Sequence, residues 1–372
     1  MKITYIVSGI TRSVFFEHTA VELKKLGYDI DFILVGNRGN EFGLFLQAND
    51  FKCNLINLKG WISYPACIKQ IYKIIKNNQP DIVHTHLTTA NILGLPAAKL
   101  AGIKLRVFTK HSGQTGHKDL KLKLYEYITK AFTVYAVAIT KREKEALVRE
   151  KYKKRHIEVI HHGFDIERFM KNDLRELSLL RNKYNPEGKS PVIGIISRCV
   201  EWKGIQYAIP AYKNLLKDYP NALLCLFNFS EQEEYSSFIN KQLEEIPSTS
   251  YIKIDFENNV YDMYKLFDVF VHIPIDPISE AFGQVYVESL ASGIPSVFTL
   301  SGIANDFIVH NENAQVVDFK NSNEVYIAIK RYLEDLLMAQ RIVENGITSV
   351  RKEFSLNNYI THLDNFYQRI YK

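Results

Sequence analysis

The stretch NPEGKSPVIGIIS, residues Asn185–Ser197, indicates that the chain is built in two halves. Its opening residues have the Pro and Gly content of a loop, whereas the run from Val192 onward is typical of a buried strand. A regular alternation of strands and helices stops near residue 165 and begins again at this run. Since one hydrophobic core rarely grows past about 250–300 residues, the 372 residues also favour two domains.

Short runs rich in Ile, Val and aromatic residues recur between longer helical patterns in both halves. This alternation predicts an α/β fold with parallel sheets that carry helices on both faces. Strands are predicted in the first half at Ile3–Ser8, Asp31–Val35, Asp81–His86, Arg106–His111, Tyr135–Thr140 and Ile157–His161, and in the second half at Val192–Ser197, Ala222–Phe227, Tyr251–Phe256, Asp268–Ile273, Pro295–Leu300 and Gln315–Phe319. Ligands of such sheets bind beyond the carboxyl ends of the strands, so functional residues are sought directly after each strand.

The composition limits the class of protein. A net charge of +6 and a pI near 8.8 are a mild basic excess that favours anionic ligands without requiring nucleic acid. The four cysteines lie far apart without a CxxC pair, so we expect neither a zinc site nor disulfides. The longest apolar run, Ala131–Thr140, is about half the roughly 20 residues of a transmembrane helix. We therefore expect a cytoplasmic protein.

Two cations follow the strand that opens the second half. Arg198 comes directly after this strand, and Lys203 precedes Gly204 at the start of a predicted helix. A cationic pair, a glycine that permits close backbone approach and a helix N-terminus together suit a diphosphate. The alternative is an exposed basic loop with solvated side chains.

Two glutamates interrupt an otherwise small or apolar stretch, SEAFGQVYVESLASGIP, residues Ser279–Pro295. Half-buried carboxylates need partners. Gly283 opens a predicted helix whose backbone N–H groups suit an anion, and Glu280 and Glu288 suit hydroxyl groups. These features predict a polyhydroxylated phosphate compound as the ligand. The alternative is that both glutamates form ion pairs or cap the helix.

Five motifs, in order along the chain, resemble those of the retaining glycosyltransferases of family 4, which have the GT-B fold. Glu280 and Glu288 fit the E-x7-E pattern of this family, and SRCVEWKG fits its Arg-x4-Lys-Gly element. DIVHTH, FTKHSG and VIHHGFDIERF fit three elements of its N-terminal half. The resemblance implies two Rossmann-like domains with parallel sheets facing a central cleft.

The same resemblance implies the domain boundaries. Residues 1–168 would form the N-terminal, acceptor-side domain, and residues 191–354 the C-terminal domain that binds the nucleotide-sugar. Residues 169–190 would form a linker, and the C-terminal helix, residues 355–372, would pack back on the first domain.

The resemblance also implies roles for single residues. Arg198 and Lys203 would hold the diphosphate of a donor, Glu288 the ribose hydroxyls, and Glu280 the hydroxyls of the donor sugar. Phe282 and Gly283 would form the floor beneath the sugar. In the first half, Gly9 would take the place of a glycine-rich loop and His111 that of a histidine near the reacting centre. Four residues would be catalytic, namely Glu280, His111, Arg198 and Lys203.

The implied activity is a retaining transfer of a sugar from a nucleotide-diphosphate sugar, with UDP as the expected nucleotide. A nucleotide-sugar epimerase of the same fold and an inactive nucleotide-sugar-binding protein are the alternatives. We expect no cofactor and no catalytic metal, because Arg198 and Lys203 would balance the charge of the diphosphate. The D-x-D sequence Asp29–Asp31 begins a strand after a turn and is expected to be a solvated strand start.

Two basic segments, residues 104–123 and 141–155, interleave cationic and apolar side chains. Such segments can lie on anionic lipid, which predicts a peripheral contact with the inner face of a membrane. The alternative is a solvated helix face. From the family resemblance, the acceptor is expected to be a saccharide or a lipid-linked compound, used in the synthesis of cell-surface polysaccharides or glycoconjugates.

Overall fold

The computed structural model describes residues 1–36, 41–111 and 119–372. These residues divide into two compact units. The first unit comprises Met1–Phe164 together with Leu356–Lys372, and the second comprises Asp165–Ser355.

The described part of the first unit contains a parallel sheet of seven strands: β1 (Lys2–Ser8), β2 (Asp29–Gly36), β3 (Lys52–Asn57), β4 (Ile82–His86), β5 (Leu105–Lys110), β6 (Tyr135–Ala138) and β7 (Ile157–Val159). Their spatial order is β3-β2-β1-β4-β5-β6-β7, so β1 and β4 are neighbours near the middle. In this register Tyr5 lies beside Phe32 of β2 and His84 of β4. Strands β1 and β4 are almost completely buried, as expected for a sheet covered on both faces.

The second unit contains a parallel sheet of six strands: β8 (Val192–Ile196), β9 (Leu223–Phe227), β10 (Tyr251–Ile254), β11 (Val269–His272), β12 (Ser296–Phe298) and β13 (Gln315–Val316). Their order is β10-β9-β8-β11-β12-β13, which places β8 beside β11. All predicted strands of both halves are confirmed, with ends that differ by a few residues.

Strand β3 is the one element of the first sheet that the sequence does not predict. It lies at the edge of the sheet, and Ile56 is its buried residue. Lys52, Asn54 and Asn57 give it a polar character. An edge strand with one buried side chain lacks the apolar run on which the prediction depends.

Helices connect the strands in each unit. In chain order they are α1 (Val14–Lys25), α2 (Glu41–Ala48), α3 (Tyr64–Asn78), α4 (Thr88–Leu100), α5 (Leu120–Phe132), α6 (Lys141–Arg149), α7 (Ile166–Met170), α8 (Leu174–Tyr184), α9 (Ile205–Asp218), α10 (Ser236–Leu243), α11 (Val260–Met263), α12 (Gln284–Ala291), α13 (Ala304–Phe307), α14 (Ser322–Glu334), α15 (Leu336–Phe354) and α16 (Leu356–Tyr371).

The segment 169–190, expected to be a linker, contains helix α8 within the second unit. The carboxylate of Asp173 accepts hydrogen bonds from the backbone N–H groups of Arg175 and Glu176, both at 3.1 Å, and so caps the helix. Leu177 and Leu180 are buried. The charged residues that suggested a loop are therefore the exposed face of an amphipathic helix.

The C-terminal helix α16 packs into the core of the first unit. Its Tyr359, Leu363 and Tyr367 are buried in the same apolar cluster as Tyr5 and Phe32. The hydroxyl groups of Tyr367 and Tyr5 are 2.6 Å apart. The end of the chain thus completes the core on one face of the first sheet.

Glu143, near the start of α6, is fully buried, and neither carboxylate oxygen has a hydrogen-bond partner among the described residues. Burial raises its pKa from the ordinary value of 4.5 to about 7, although nearby cations including Lys110 and Arg142 oppose this shift. A carboxyl group with a raised pKa in the folded state contributes stability at low pH. That contribution is complete below pH 4.5 and is lost as the pH rises through about 7.

We therefore predict that Glu143→Gln increases the free energy of unfolding at pH 8 by about 1–3 kcal/mol, because no buried charge has to form. Near pH 5 the variant and the wild type should have similar stability. Urea denaturation at the two pH values measures the difference. Glu145→Gln is the control, since the side chain of Glu145 lies on the same helix and is 72% exposed. Equal stabilisation at both pH values would contradict the raised pKa.

Candidate functional site

Strands β8 and β11 are neighbours, and the segments that follow them bring Lys203 and Glu280 together. The ammonium of Lys203 forms an ion pair with Oε1 of Glu280. Nε2 of His272, the last residue of β11, lies 3.0 Å from the same oxygen. The exposed fractions of the Lys203, Glu280 and His272 side chains are 16%, 10% and 1%. Two predicted site residues are therefore direct partners, and a histidine joins them.

The charge of Glu280 is stabilised by these two partners. Burial alone would raise its pKa, but the hydrogen bond from His272 and the positive charge of Lys203 lower it to about 2. Burial lowers the pKa of His272, so this imidazole is neutral at pH 7 and donates Nε2–H to the carboxylate. Glu280 is thus an ionised hydrogen-bond acceptor at any physiological pH.

Glu288, on helix α12, has a different environment. The hydroxyl of Tyr264 donates a hydrogen bond to its Oε2 at 2.7 Å. Burial raises the pKa of Glu288, and the hydrogen bond from Tyr264 lowers it only in part. Among the described residues, no basic side chain forms an ion pair with Glu288. The carboxylate of Glu288 is therefore stabilised by a hydrogen bond from a hydroxyl group rather than by a cation.

Arg198 follows β8, and its side chain is exposed. Its guanidinium carbon lies 5.7 Å from the centre of the Trp202 ring, a distance at which cation–π attraction contributes. Trp202 and Lys203 belong to the same short helical turn, Glu201–Lys203. This turn thus contains Lys203 and contacts Arg198 through Trp202, directly before helix α9.

The backbone around these side chains is closely packed at two glycines. Gly204 has φ +80°, and a Cβ atom there would lie 1.9 Å from the carbonyl oxygen of Ile273. Gly302 has φ +57°, and a Cβ atom there would lie 2.6 Å from the carbonyl oxygen of Phe282. The turn after β8, the loop after β11 and the loop after β12 are therefore in direct contact.

The Phe282 side chain, predicted to form the floor beneath the sugar, lies in the interior of the second unit. The ring is buried and packs edge-on against Phe354, with ring centres 6.1 Å apart. The carbonyl of Phe282 accepts a hydrogen bond from the backbone N–H of Ile303 at 2.8 Å. The ring thus packs in the core, and its role beneath a sugar stays a prediction. Gly283, the next residue, directly precedes helix α12.

The remaining predicted residues lie in the first unit. Gly9 follows β1, and its N–H donates to the carbonyl of Val35 at 3.2 Å. His111 follows β5, and its Nε2 lies 3.1 Å from Nδ1 of His86. His84 and His86, on β4, also lie within hydrogen-bond distance of side chains of the first unit.

A cavity of about 150 Å³ lies within the first unit beside His111. Lys110 and Glu150 contribute to its wall and form an ion pair at 2.6 Å. Tyr125 and Tyr152 supply aromatic surface. The cavity thus combines a neutralised charge pair with aromatic rings at the carboxyl end of β5.

Three partners in the second unit were not identified from sequence. His272 and Tyr264 contact the two glutamates, and Ser301 accepts a hydrogen bond from the backbone N–H of Glu280 at 3.0 Å. The position of His272 at the end of an apolar strand was a signal in the sequence that could have identified it as a site residue. The contacts of Tyr264 and Ser301 depend on folding and have no such signal.

Among the residues described, no group of three or more His, Cys, Asp or Glu side chains is arranged to hold a metal ion. The prediction that the D-x-D sequence is a solvated strand start holds for only one of its two aspartates. Asp29 is exposed, but Asp31 is fully buried and accepts a hydrogen bond from the Asn78 amide at 2.7 Å. Asp31 is therefore a structural link between β2 and α3.

We predict that His272→Phe lowers the free energy of unfolding by about 1.5–3 kcal/mol, the usual contribution of a hydrogen bond to a charged group. Phenylalanine can keep the near-parallel contact with Phe270 and the edge contact with Tyr286. It cannot donate to Glu280. His272→Gln is the matched control, because its amide can reach the position of Nε2. Urea denaturation gives the comparison, and a phenylalanine variant as stable as wild type would show that this hydrogen bond contributes nothing.

Two family models match the chain, one in each half. Residues 9–168 match "Glycosyltransferase Family 4", and residues 178–349 match "Glycosyl transferases group 1". The two matched ranges include every predicted site residue.

Similar proteins are known from several bacteria. The chain is 26% identical over 304 residues to the UDP-Gal:α-D-GlcNAc-diphosphoundecaprenol α-1,3-galactosyltransferase of Escherichia coli, covering 76% of this chain and 75% of the relative. It is 24% identical over 391 residues to the capsular polysaccharide biosynthesis glycosyltransferase CapM of Staphylococcus aureus, covering 100% and 98%. The structure of Anabaena HepE in complex with UDP matches with a TM-score of 0.84 at 18% identity, covering 99% of this chain and 100% of that one. The likeness confirms the expected GT-B fold.

Proposed function

Because the chain belongs to the glycosyltransferases of family 4, we propose that it transfers a hexosyl group from a UDP-sugar to an acceptor with retention at the anomeric carbon. The observation that carries this proposal is the ion pair of the half-buried Lys203 with the buried Glu280, with the half-buried Glu288 on the helix that follows. A nucleotide-sugar needs a cation for its diphosphate and acceptors for its hydroxyl groups. A relative named for UDP-Gal and a fold neighbour bound to UDP support uridine as the base.

The cations act on the diphosphate. When the bond between the sugar and the phosphate breaks, negative charge grows on the leaving diphosphate, and a positioned cation stabilises this charge. An ammonium has three N–H donors, so Lys203 can hold Glu280 and a phosphate oxygen at the same time. Arg198, which is exposed, can bind phosphate with two parallel hydrogen bonds. These two cations supply the positive charge for which other enzymes use a metal ion.

The carboxylates act on the hydroxyl groups. Glu280 is ionised, with a pKa of about 2, so it accepts hydrogen bonds from the donor sugar and cannot serve as a general acid. Glu288 accepts from the ribose while Tyr264 holds its Oε2. We propose front-face attack, in which the acceptor hydroxyl approaches on the side of the leaving diphosphate and transfers its proton to a diphosphate oxygen.

The proposed acceptor is a saccharide or a lipid-linked compound of cell-surface polysaccharide synthesis. The printed names of two relatives support it, since one is named for a diphosphoundecaprenol acceptor and the other for capsular polysaccharide biosynthesis. We place this acceptor on the first unit, with His111 in contact with a substrate hydroxyl.

We also propose that helix α5 contacts anionic lipid while the enzyme works in the cytoplasm. Leu120, Leu124 and Tyr127 lie along one stripe of this helix and are 82%, 54% and 70% exposed. Lys121 and Lys123 flank the stripe. No helix in the described ranges is long and apolar enough to cross a bilayer. Residues 112–118 of the first basic segment lie outside the described residues.

The donor is tested by thermal denaturation with UDP-, GDP- and ADP-sugars. A UDP-sugar at about 100 times its dissociation constant should stabilise the fold by about 2.7 kcal/mol. NMR of the product formed with a polyisoprenyl-diphosphate sugar acceptor should show the anomeric configuration of the donor. The rate should not change with EDTA if Arg198 and Lys203 suffice.

Other outcomes would identify the alternatives. Conversion of the donor sugar to its epimer without an acceptor would identify an epimerase. Stabilisation by a UDP-sugar with neither transfer nor hydrolysis would identify a binding protein. Inversion of the anomeric configuration would overturn the proposed mechanism.

Sedimentation with vesicles tests the lipid contact. The protein should bind vesicles that contain phosphatidylglycerol more strongly than vesicles of phosphatidylcholine alone. Leu120→Glu with Leu124→Glu should abolish this difference. Leu336→Glu with Leu337→Glu is the control, because these leucines of the second unit are 72% and 83% exposed. Equal loss in both pairs would contradict a specific role of α5.

A further inference from the structure

His86 is held rigidly beside His111. The ring of His86 stacks on Tyr5, with ring centres 5.2 Å apart and planes 7° apart. The ring of Phe16 meets it edge-on at 4.9 Å. Only 2% of His86 is exposed. Because its ring is packed on two sides, the 3.1 Å contact from its Nδ1 to Nε2 of His111 has a fixed direction.

His84 does not compete for this contact. Its Nδ1 lies 2.6 Å from the hydroxyl of Tyr367, and its Nε2 lies 2.8 Å from the hydroxyl of Thr109. Both of its nitrogens are therefore engaged, although the rings of His84 and His86 are 4.2 Å apart. His86 is thus the group that sets the state of Nε2 of His111.

One proton lies between His86 and His111. Burial lowers the pKa of both rings, that of His111 to about 4, so both are neutral at pH 7. In one arrangement, His86 donates Nδ1–H to Nε2 of His111, and His111 then carries its proton on Nδ1. In the other, His111 donates Nε2–H to His86, and Nδ1 of His111 is a lone pair.

The unpartnered nitrogen of His86 distinguishes the two arrangements. Its Nε2 is buried and has no hydrogen-bond partner among the described residues. In the first arrangement this nitrogen is a lone pair, and in the second it is an N–H group. Orphaned N–H groups are rarer in protein interiors than unsatisfied acceptors. The first arrangement is therefore favoured.

We propose that His86 is a positioning residue that fixes His111 in the tautomer with Nδ1–H, so that His111 donates a hydrogen bond to a substrate oxygen. Under this assignment His111 is not the base that accepts the proton of the acceptor hydroxyl. The identity of that oxygen rests on the proposed function. The tautomer itself does not, because it is a property of the protein alone.

The tautomer is measured on the full chain labelled with ¹⁵N-histidine, without substrate. Two-bond ¹H–¹⁵N correlation spectra distinguish the nitrogen that carries the proton, and His86→Phe and His111→Asn spectra assign the two residues. We expect His111 to carry its proton on Nδ1 at pH 7. A proton on Nε2 would overturn the proposal even if the enzyme is a glycosyltransferase.

A pair of variants separates positioning from packing. His86→Phe keeps a ring against Tyr5 and removes the hydrogen bond, whereas His86→Asn loses the ring but can place an amide N–H where Nδ1–H was. If His86 positions His111, the phenylalanine variant should lose about 10- to 100-fold in kcat/KM, and the asparagine variant should stay within about threefold of wild type. A phenylalanine variant more active than the asparagine variant would show that His86 serves packing alone. Should no transfer be detected in the wild type, the proposed function fails and the NMR result still decides the tautomer.

Discussion

Lys203→Ala is expected to lower kcat/KM by about 100- to 1000-fold, the usual effect of removing one group that stabilises charge in a transition state. The same variant should lose the thermal stabilisation by a UDP-sugar. Lys203 is half-buried, and its ion pair with Glu280 holds its ammonium after β8. Alanine removes the charge that would balance the leaving diphosphate.

The fold should tolerate this substitution. Glu280 keeps the hydrogen bond from His272 at 3.0 Å and the contact of its backbone N–H with Ser301. Its pKa should rise, because the positive charge of Lys203 is one of the causes of its low value. Circular dichroism and thermal denaturation check that the variant is folded before its activity is compared.

Lys265→Ala is the matched control for this prediction. Lys265 forms a 3.3 Å ion pair with Asp262 in the same unit, and its side chain is 7% exposed. Its loss should change stability but leave kcat/KM within about threefold of wild type. The role of Lys203 would be contradicted if the folded Lys203→Ala variant were as active as Lys265→Ala. A double-mutant cycle with Glu280→Gln would then measure the energy of the ion pair itself.

Gly204→Ala is expected to lower the free energy of unfolding of the second unit by about 4 kcal/mol or more, a size that is exceptional for a single substitution. The added Cβ atom would lie 1.9 Å from the carbonyl oxygen of Ile273, so one backbone segment must move. The two segments are also joined by the hydrogen bond from Ile275 N–H to the carbonyl of Trp202 at 3.1 Å. Movement would displace Lys203, so donor binding should be lost in any folded fraction.

Gly188→Ala separates this clash from the cost of backbone conformation. Gly188 has φ +65°, but no atom lies within 4 Å of the position of its Cβ. Strain from a positive φ alone costs about 1–2 kcal/mol. Urea denaturation of both variants gives the comparison. Similar losses at the two glycines would show that Gly204 is required only for its φ value.

Most of the segments that form strands could be predicted from the sequence. The apolar runs of β1, β4 and β8 are local signals, and burial on both faces of a parallel sheet accounts for them. Strand β3 was missed because an edge strand buries too few side chains to produce a run. Helix α8 was taken for a linker because its charged face dominates its composition.

The sequence was enough to predict which residues belong to the candidate site. It was less informative about which of them contact each other. Spacing singled out Glu280, Glu288, Arg198 and Lys203, and chemistry suggested anions and hydroxyl groups as their ligands. The family resemblance placed Phe282 beneath a donor sugar, and the structure shows that its ring packs against Phe354 in the core. Adjacent residues on an irregular loop can point in opposite directions, and sequence spacing does not give that direction.

The sequence by itself determined that this protein has two α/β halves and which charged side chains follow the strands. Both features depend on short-range patterns of burial and charge. Only the tertiary structure decided which groups are partners. Lys203 meets Glu280 across 77 residues of chain, and His86 meets His111 across 25, because β8 lies beside β11 and β4 beside β5. Strand neighbours are chosen by the packing of the whole unit, so these contacts, and the pKa values that they set, arise only when the sheets form.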